Sequence, residues 1–382
     1  MIARSSVALA ALVLSVGAGG CASTAGERPP TRGQGAAELE VDPRWPRPLP
    51  NNWILGQVAG IAVDADDHVW IVQRPKSLTE DERGAAADPP LSKCCVPAPP
   101  VIELDAQGNV LRAWGGPGQG YDWPENEHGI SVDRDGYVWL GGNGDNDGQI
   151  LKFTRDGKFV AQIGKPGPQT GSADTTRLGR PATAEVDPET HELFVADGYH
   201  NRRVIVFDAG TLAYKRHWGA YGKPPSDAEK VTMSRPTPPP STPPQQFGNP
   251  VHCARPARDG LVYVCDRIND RIQVFKRDGT FVKEIMVEPR TAGNGSVWDI
   301  ALSRDPEQRF LYIADGRNNQ LLKVARDTGE VVATVGRSGR GAGDFHWVHD
   351  IAIDSKGNLY TGEVDTGKRI QKFVPRTNVA GR

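Results

Sequence analysis

The chain has 382 residues, a formal net charge of −2, 44 Gly, 31 Pro and 38% hydrophobic side chains. That apolar share supports a packed core, while the Gly and Pro content points to many short strands joined by tight turns and away from a helical protein. The charge, with no extended Lys/Arg cluster, argues against a nucleic-acid partner.

At the start of the chain, Arg4 supplies a positive region and Val7 to Val16 an apolar stretch too short to remain as a membrane span. Ala18, Gly19 and Gly20 then precede Cys21. This run resembles a bacterial lipoprotein signal, which implies a leader over 1–21, lipidation of Cys21, and a protein exported to the bacterial cell envelope. An ordinary cleaved signal with Cys21 incidental is the alternative. Residues 22–44 are polar and rich in small side chains, as a tether would be.

From residue 45 to 376 one unit recurs. It reads as an apolar strand ending in Asp, a turn, a second strand ending in a polar pair, then two further strands. First strands are 60-GIAVD, 129-GISVD, 182-ATAEVD, 252-HCARPARD, 299-DIALSRD and 350-DIAID. Second strands run from 69-VWIVQR to 359-LYTGEVDTGK, and third strands include 271-RIQVFKRDG and 369-RIQKF. Each unit predicts a four-stranded antiparallel meander, and six stacked radially predict a six-bladed β-propeller. A β-sandwich is the alternative. The last copy lacks a clear fourth strand, so the segment near 53-WILGQ is expected to complete it and close the ring. Insertions at 75–99 and 222–249 interrupt the repeat; the second holds 236-PTPPPSTPP, which cannot form sheet. Residues 377–382 are left as a tail. Cys253 and Cys265 lie symmetrically about the turn at Arg258–Gly260, which makes a cross-strand disulfide plausible. For Cys94 and Cys95 the sequence does not say whether they pair.

These copies resemble the NHL repeat family. The features are the G-[IV]-A-[VL]-D first strand, the A-D-x-x-N-x-R second strand and the R-[IV]-x-x-F third strand.

Three of the eight histidines share one repeat position. His128 precedes the first strand of blade two, His252 opens that of blade four, and His349 precedes that of blade six. First strands line the central channel, and alternate blades are related by about a third of a turn. Three imidazoles can therefore converge on the axis, as in a zinc site with an open fourth position. The plainer reading is three histidines that only hydrogen-bond at strand starts. Arg74, Tyr199, Arg267 and Asp350 stand at the same rim, which suits an anionic substrate and a phenolic acid/base.

Together these motifs resemble the peptidyl-α-hydroxyglycine α-amidating lyase (peptidylamidoglycolate lyase) family. They are W-I-L-G-Q-V-A-G-I-A-V-D (53–64), H-G-I-S-V-D (128–133), V-A-D-G-Y-H-N-R-R (195–203), P-V-H-C (250–253), V-C-D-R-I-N-D-R (264–271) and V-H-D-I (348–351). The resemblance implies Zn2+ on His128, His252 and His349, and a structural Ca2+ held by Asp350 and the backbone carbonyls of Ile61 and Ile130. It also implies Tyr199 as general base, with Arg74 and Arg267 on the substrate. The implied reaction is cleavage of a peptidyl- or N-acyl-α-hydroxyglycine carbinolamide to an amide and glyoxylate. The implied partner is a small molecule or peptide bearing a carboxylate, met by a monomer whose one link to a membrane is a lipid at Cys21. The sequence departs from the family pattern at Trp347, often Met, and at His200, where the family has Cys. Two other readings fit the same scaffold: another metal-dependent lyase or hydrolase, and a non-catalytic NHL propeller that binds a protein or envelope ligand.

Overall fold

The computed structural model describes residues 38–228 and 230–376. The leader expected at 1–21, the first part of the expected tether and the tail at 377–382 lie outside the described residues.

Six four-stranded antiparallel sheets follow one another along the chain, and the sixth takes its outer strand from the N-terminal end of the described residues. Blade one uses Gln57–Val63, Val69–Arg74, Val101–Leu104 and Val110–Trp114. The inner strands of blades two to six are Glu127–Val132, Thr183–Val186, Val251–Pro256, Asp299–Leu302 and Val348–Ile353. The architecture is the six-bladed propeller that the repeats predict.

Two devices recur among the units and shape their loops. The Asp that ends the first strand caps the turn after it. Asp64, Asp133 and Asp354 each accept two backbone N–H bonds from that turn through Oδ1. Their Oδ2 atoms accept from Trp70 Nε1 at 2.9 Å, Trp139 Nε1 at 2.8 Å and the Tyr360 hydroxyl at 3.0 Å, which ties the turn to a large side chain in the second strand. The second device is the D-x-x-N-x-R run of blade four, which blade three carries with one extra residue as D-x-x-x-N-x-R. Asp197 accepts from Asn201 and from Arg203 Nε, both at 2.8 Å. Asp266 likewise accepts from Asn269 at 2.9 Å and Arg271 Nε at 2.7 Å. All four members of these two ion pairs are 0% exposed, so they rigidify the loop between second and third strands. Second and third strands are buried on both faces, as in VWIVQR, QILKF and ELFVAD, because neighbouring blades cover each side.

The ring closes through Leu39–Val41, which pairs antiparallel with Ile370–Pro375 in the register Leu39↔Pro375 and Val41↔Phe373. This corrects the expectation that 53-WILGQ would do so, and turns part of the expected tether into strand. Trp53–Ile54 instead pairs in parallel with Val96–Pro97 from the insertion. The physical reason is reach: Gln57 already begins blade one's inner strand at the axis, whereas blade six needs a partner on its outer edge. Leu39 is buried among Phe345, Phe373 and Val348, which gives the latch an apolar anchor. Cys253 and Cys265 face each other across the first hairpin of blade four and are disulfide-bonded; Cys94 and Cys95 are also joined.

Candidate metal centre and active site

The inner strands break register where the histidines sit. In blade two the break falls between His128 and Ile130, in blade four between Val251 and Cys253, and in blade six between Val348 and Asp350. An extra residue in one strand of a pair bends it and re-aims a side chain. Blade one has the same break between Val58 and Gly60, with Ala59 there, so it supplies no ligand.

The three rings meet on the axis. Their centroids lie 5.0 Å apart for His128–His252, 4.8 Å for His128–His349 and 4.9 Å for His252–His349, each pair edge to face. All three are at most 3% exposed. One nitrogen from each lies within 4.8 Å of the other two. His128 Nδ1 donates to the carbonyl of Ala182 at 2.8 Å, and His252 Nδ1 to that of Trp298. Those carbonyls belong to the neighbouring blades and set the tautomer, which leaves the Nε2 lone pairs aimed into the channel. Burial holds all three imidazoles well below their ordinary titration range. The Arg74 charge adds to this at His128, Arg267 at His252, and the other two histidines at His349. The imidazoles are therefore neutral, the form that binds metal.

Tyr199 supplies the fourth side of the cage. Its hydroxyl is 2.9 Å from His128 Nε2 and 3.1 Å from His252 Nε2, and it accepts from Arg267 Nη1 at 3.3 Å. Tyr199 and Arg267 lie in the loops pinned by the Asp197–Arg203 and Asp266–Arg271 pairs, so the repeat motif itself aims them at the axis. Gly198 is required beside Tyr199, because a Cβ there would come within 2.1 Å of the Val251 carbonyl oxygen. Arg74 approaches from blade one. Its Nε donates to the Glu127 carbonyl at 2.8 Å, Nη1 to Gln57 at 2.9 Å and Nη2 to Asn143 at 3.2 Å. Burial lowers the pKa of both Arg74 and Arg267. Two guanidinium groups thus face three neutral imidazoles, a setting that favours an anion.

Asp350 lies one residue beyond His349 and is buried with Asp299. Arg255 donates to Asp299 through Nε at 3.1 Å and Nη2 at 2.7 Å, and through Nη1 to Glu185 at 2.6 Å; its Nη2 is 3.5 Å from Asp350. Burial and the Asp299 charge push Asp350 well above the usual carboxylate range. Ile61 and Ile130 lie in the adjacent inner strands of blades one and two, with buried side chains. Past this layer the channel opens into a cavity of about 420 Å3 lined by the far ends of the inner strands.

Sequence reasoning missed Trp298, Asp299 and Arg255. The signal was present: 297-VWDIAL aligns with 348-VHDIAI, so Trp298 and Asp299 occupy blade five's equivalents of His349 and Asp350. Two other groups of candidate ligands do not offer a comparable site. Asp64, His68 and Glu103 enclose Arg155, whose Nη2 is 2.7 Å from both carboxylates; of Cys253, Cys265 and Asp299, the two sulfurs are bonded to each other.

No family model matches the chain. Peptidyl-glycine alpha-amidating monooxygenase B of Xenopus laevis is 26% identical over 356 residues, covering 88% of this chain and 36% of that protein. Peptidylglycine alpha-amidating monooxygenase of Rattus norvegicus is 26% identical over 338 residues, 84% of this chain and 30% of its own length. The human NHL repeat-containing protein 3 is 25% identical and is covered over 73% of its length by 72% of this chain. The chain is a distant relative of these amidating and NHL-repeat proteins. It spans about a third of the amidating proteins' length. A solved structure from Bacteroides thetaiotaomicron, a protein of unknown function, overlays with a TM-score of 0.52 at 16% identity, covering 84% of this chain and 70% of that one. That likeness concerns the fold alone. Fold, candidate metal cluster and distant kinship together mark a metal-binding propeller of enzyme-like character.

Proposed function

We propose that this propeller is a zinc-dependent carbon–nitrogen lyase that cleaves a peptidyl- or N-acyl-α-hydroxyglycine to an amide and glyoxylate. The observation that carries the proposal is the convergence of two imidazole Nε2 atoms and the Arg267 guanidinium on the Tyr199 hydroxyl. A bare metal site needs neither a phenol nor a buried guanidinium there.

The donor set fits zinc: three neutral imidazoles, at least two with Nδ1 tied to carbonyls, and a fourth side left to a hydroxyl. Zinc held by His128, His252 and His349 would supply Lewis acidity to the substrate hydroxyl. Tyr199 takes the proton from that hydroxyl, helped by the bond from Arg267, which stabilises negative charge on the phenol oxygen. The C–O bond becomes a carbonyl, the C–N bond breaks, and the proton passes from Tyr199 to the departing amide nitrogen. Arg74 and Arg267 receive the substrate carboxylate.

The proposal extends to Ca2+ on Asp350 and the carbonyls of Ile61 and Ile130. These donors are all oxygen, and the raised pKa of Asp350 beside buried Asp299 reflects burial and crowded carboxyl groups, a crowding that a bound dication would relieve. It also includes a monomer exported to the bacterial cell envelope and anchored by lipid at Cys21; palmitate labelling that is lost in Cys21→Ala tests that part.

The central test combines elemental analysis with glyoxylate release from α-hydroxyhippurate. His252→Ala is expected to lose bound zinc and turnover together. Unchanged zinc content in that variant would exclude the site. Zinc without glyoxylate from the parent would exclude the reaction.

A further inference from the structure

Arg267 is 4% exposed, yet its Nε has no hydrogen-bond partner and Nη1 has only the Tyr199 hydroxyl. Among the described residues it makes no ion pair. A buried guanidinium without a carboxylate needs some other support to stay in place. Trp298 offers it. The Arg267 guanidinium carbon sits 4.5 Å from the centroid of the Trp298 ring, and 5.6 Å from that of Tyr199. An indole face attracts a cation, most strongly where water is excluded.

Trp298 is itself held on several sides. Its Nε1 donates to the Gly295 carbonyl at 2.8 Å, and its ring meets Trp347 edge-on at 5.2 Å and His349 at 5.6 Å. Gly316 leaves it room, since a Cβ there would come within 2.5 Å of the indole. The Trp298 carbonyl accepts from His252 Nδ1. One residue therefore touches a metal-site histidine through its backbone and the arginine through its ring. It stands in blade five at the position where blades four and six carry a histidine.

We propose that Trp298 is a positioning residue that holds Arg267 oriented for the substrate carboxylate and, by filling blade five's ligand position with an indole, helps select carboxylate-bearing substrates. This deepens the lyase reading and rests on it for the identity of the substrate. The aromatic face substitutes for the carboxylate partner that a buried arginine ordinarily takes, so the charge stays available to a ligand.

The test uses the full chain with zinc and the variants Trp298→Leu and Trp298→Phe. Three kinds of measurement are made: bound zinc, steady-state kinetics (KM and kcat) on α-hydroxyhippurate, and calorimetric affinity for hippurate and its neutral amide, hippuramide. Trp298→Leu is expected to keep its zinc, weaken hippurate about tenfold and raise KM to match, with hippuramide binding unchanged. Trp298→Phe falls between, because a phenyl face is a weaker cation acceptor. In the Arg267→Gln background the Trp298→Leu change adds no further loss. Equal losses for hippurate and hippuramide, or no loss with zinc intact, would overturn the proposal. If Trp298→Leu does not fold, the same hippurate-selective loss is required of Trp298→Phe, and its absence overturns the proposal. A parent that binds hippurate in a Trp298-dependent way but releases no glyoxylate defeats the lyase reading alone. A parent that releases glyoxylate but binds no hippurate overturns the Trp298 proposal and leaves the lyase reading standing.

Discussion

Replacing Tyr199 with Phe removes one oxygen and leaves the ring. That oxygen is 2.9 Å from His128 Nε2, 3.1 Å from His252 Nε2 and 3.3 Å from Arg267 Nη1. General acid–base catalysis contributes about 10²–10⁴ in rate, or roughly 3–5 kcal/mol of barrier. The fall in kcat of Tyr199→Phe is expected in that range. Stability should move less than the barrier does. Tyr199 is 7% exposed and packs in the core between blades three and four through its ring, which Phe retains. The bond lost from the charged Arg267 guanidinium costs about 1.5–3 kcal/mol. The assay is single-turnover release of glyoxylate from α-hydroxyhippurate, with zinc content and Tm measured on the same preparations. Zinc at the parent's stoichiometry and a rate down by about a hundredfold or more supports the assignment. A rate within about threefold of the parent would refute it, because a group that moves the proton cannot be dispensable.

Stability of the metal-free protein should decline as pH falls below about 6.5. The three histidines bind protons more weakly when folded than when unfolded, so each contributes up to about 1.4 kcal/mol per pH unit in the window between its depressed value and 6.5. The chelated parent should therefore lose Tm more steeply from pH 7 to 5 than His349→Asn; parallel curves would contradict this. Asp266→Ala leaves the buried Arg271 with only its longer Glu284 pair and frees the loop that carries Arg267, so urea denaturation should show a loss of about 3 kcal/mol. Calcium added to chelated protein should stabilise it by about 2.7 kcal/mol at a hundred times its Kd, and Asp350→Asn should abolish the response. A Tm indifferent to calcium would remove that ion from the proposal.

The repeat made the propeller legible because each blade folds by local rules. The capping Asp64, Asp133 and Asp354 and the Asp–Asn–Arg clusters at Asp197 and Asp266 act within a few residues of themselves. Repeat register also carried the histidines, since equivalent positions in alternate blades must be related by the ring. The closing strand was harder to read. Leu39–Val41 is only three residues long and draws its stability from a partner at the other end of the chain. Local periodicity carries no trace of such a contact.

The buried polar layer behind the histidines shows the same limit. Arg255, Glu185, Asp299 and Asp350 come from four different blades, and each alone reads as an ordinary charged residue near a strand end. Trp298 reads as core until Arg267 is placed over it. The sequence by itself determined six blades, the turns that shape them and three histidines at one height. Only the tertiary structure decided which strand latches the ring, how the register breaks turn the imidazoles inward, and that Tyr199 and Arg267 meet them. The reason is that closing a ring converts distant repeat positions into neighbours, and whether their side chains touch depends on bulges and packing between blades.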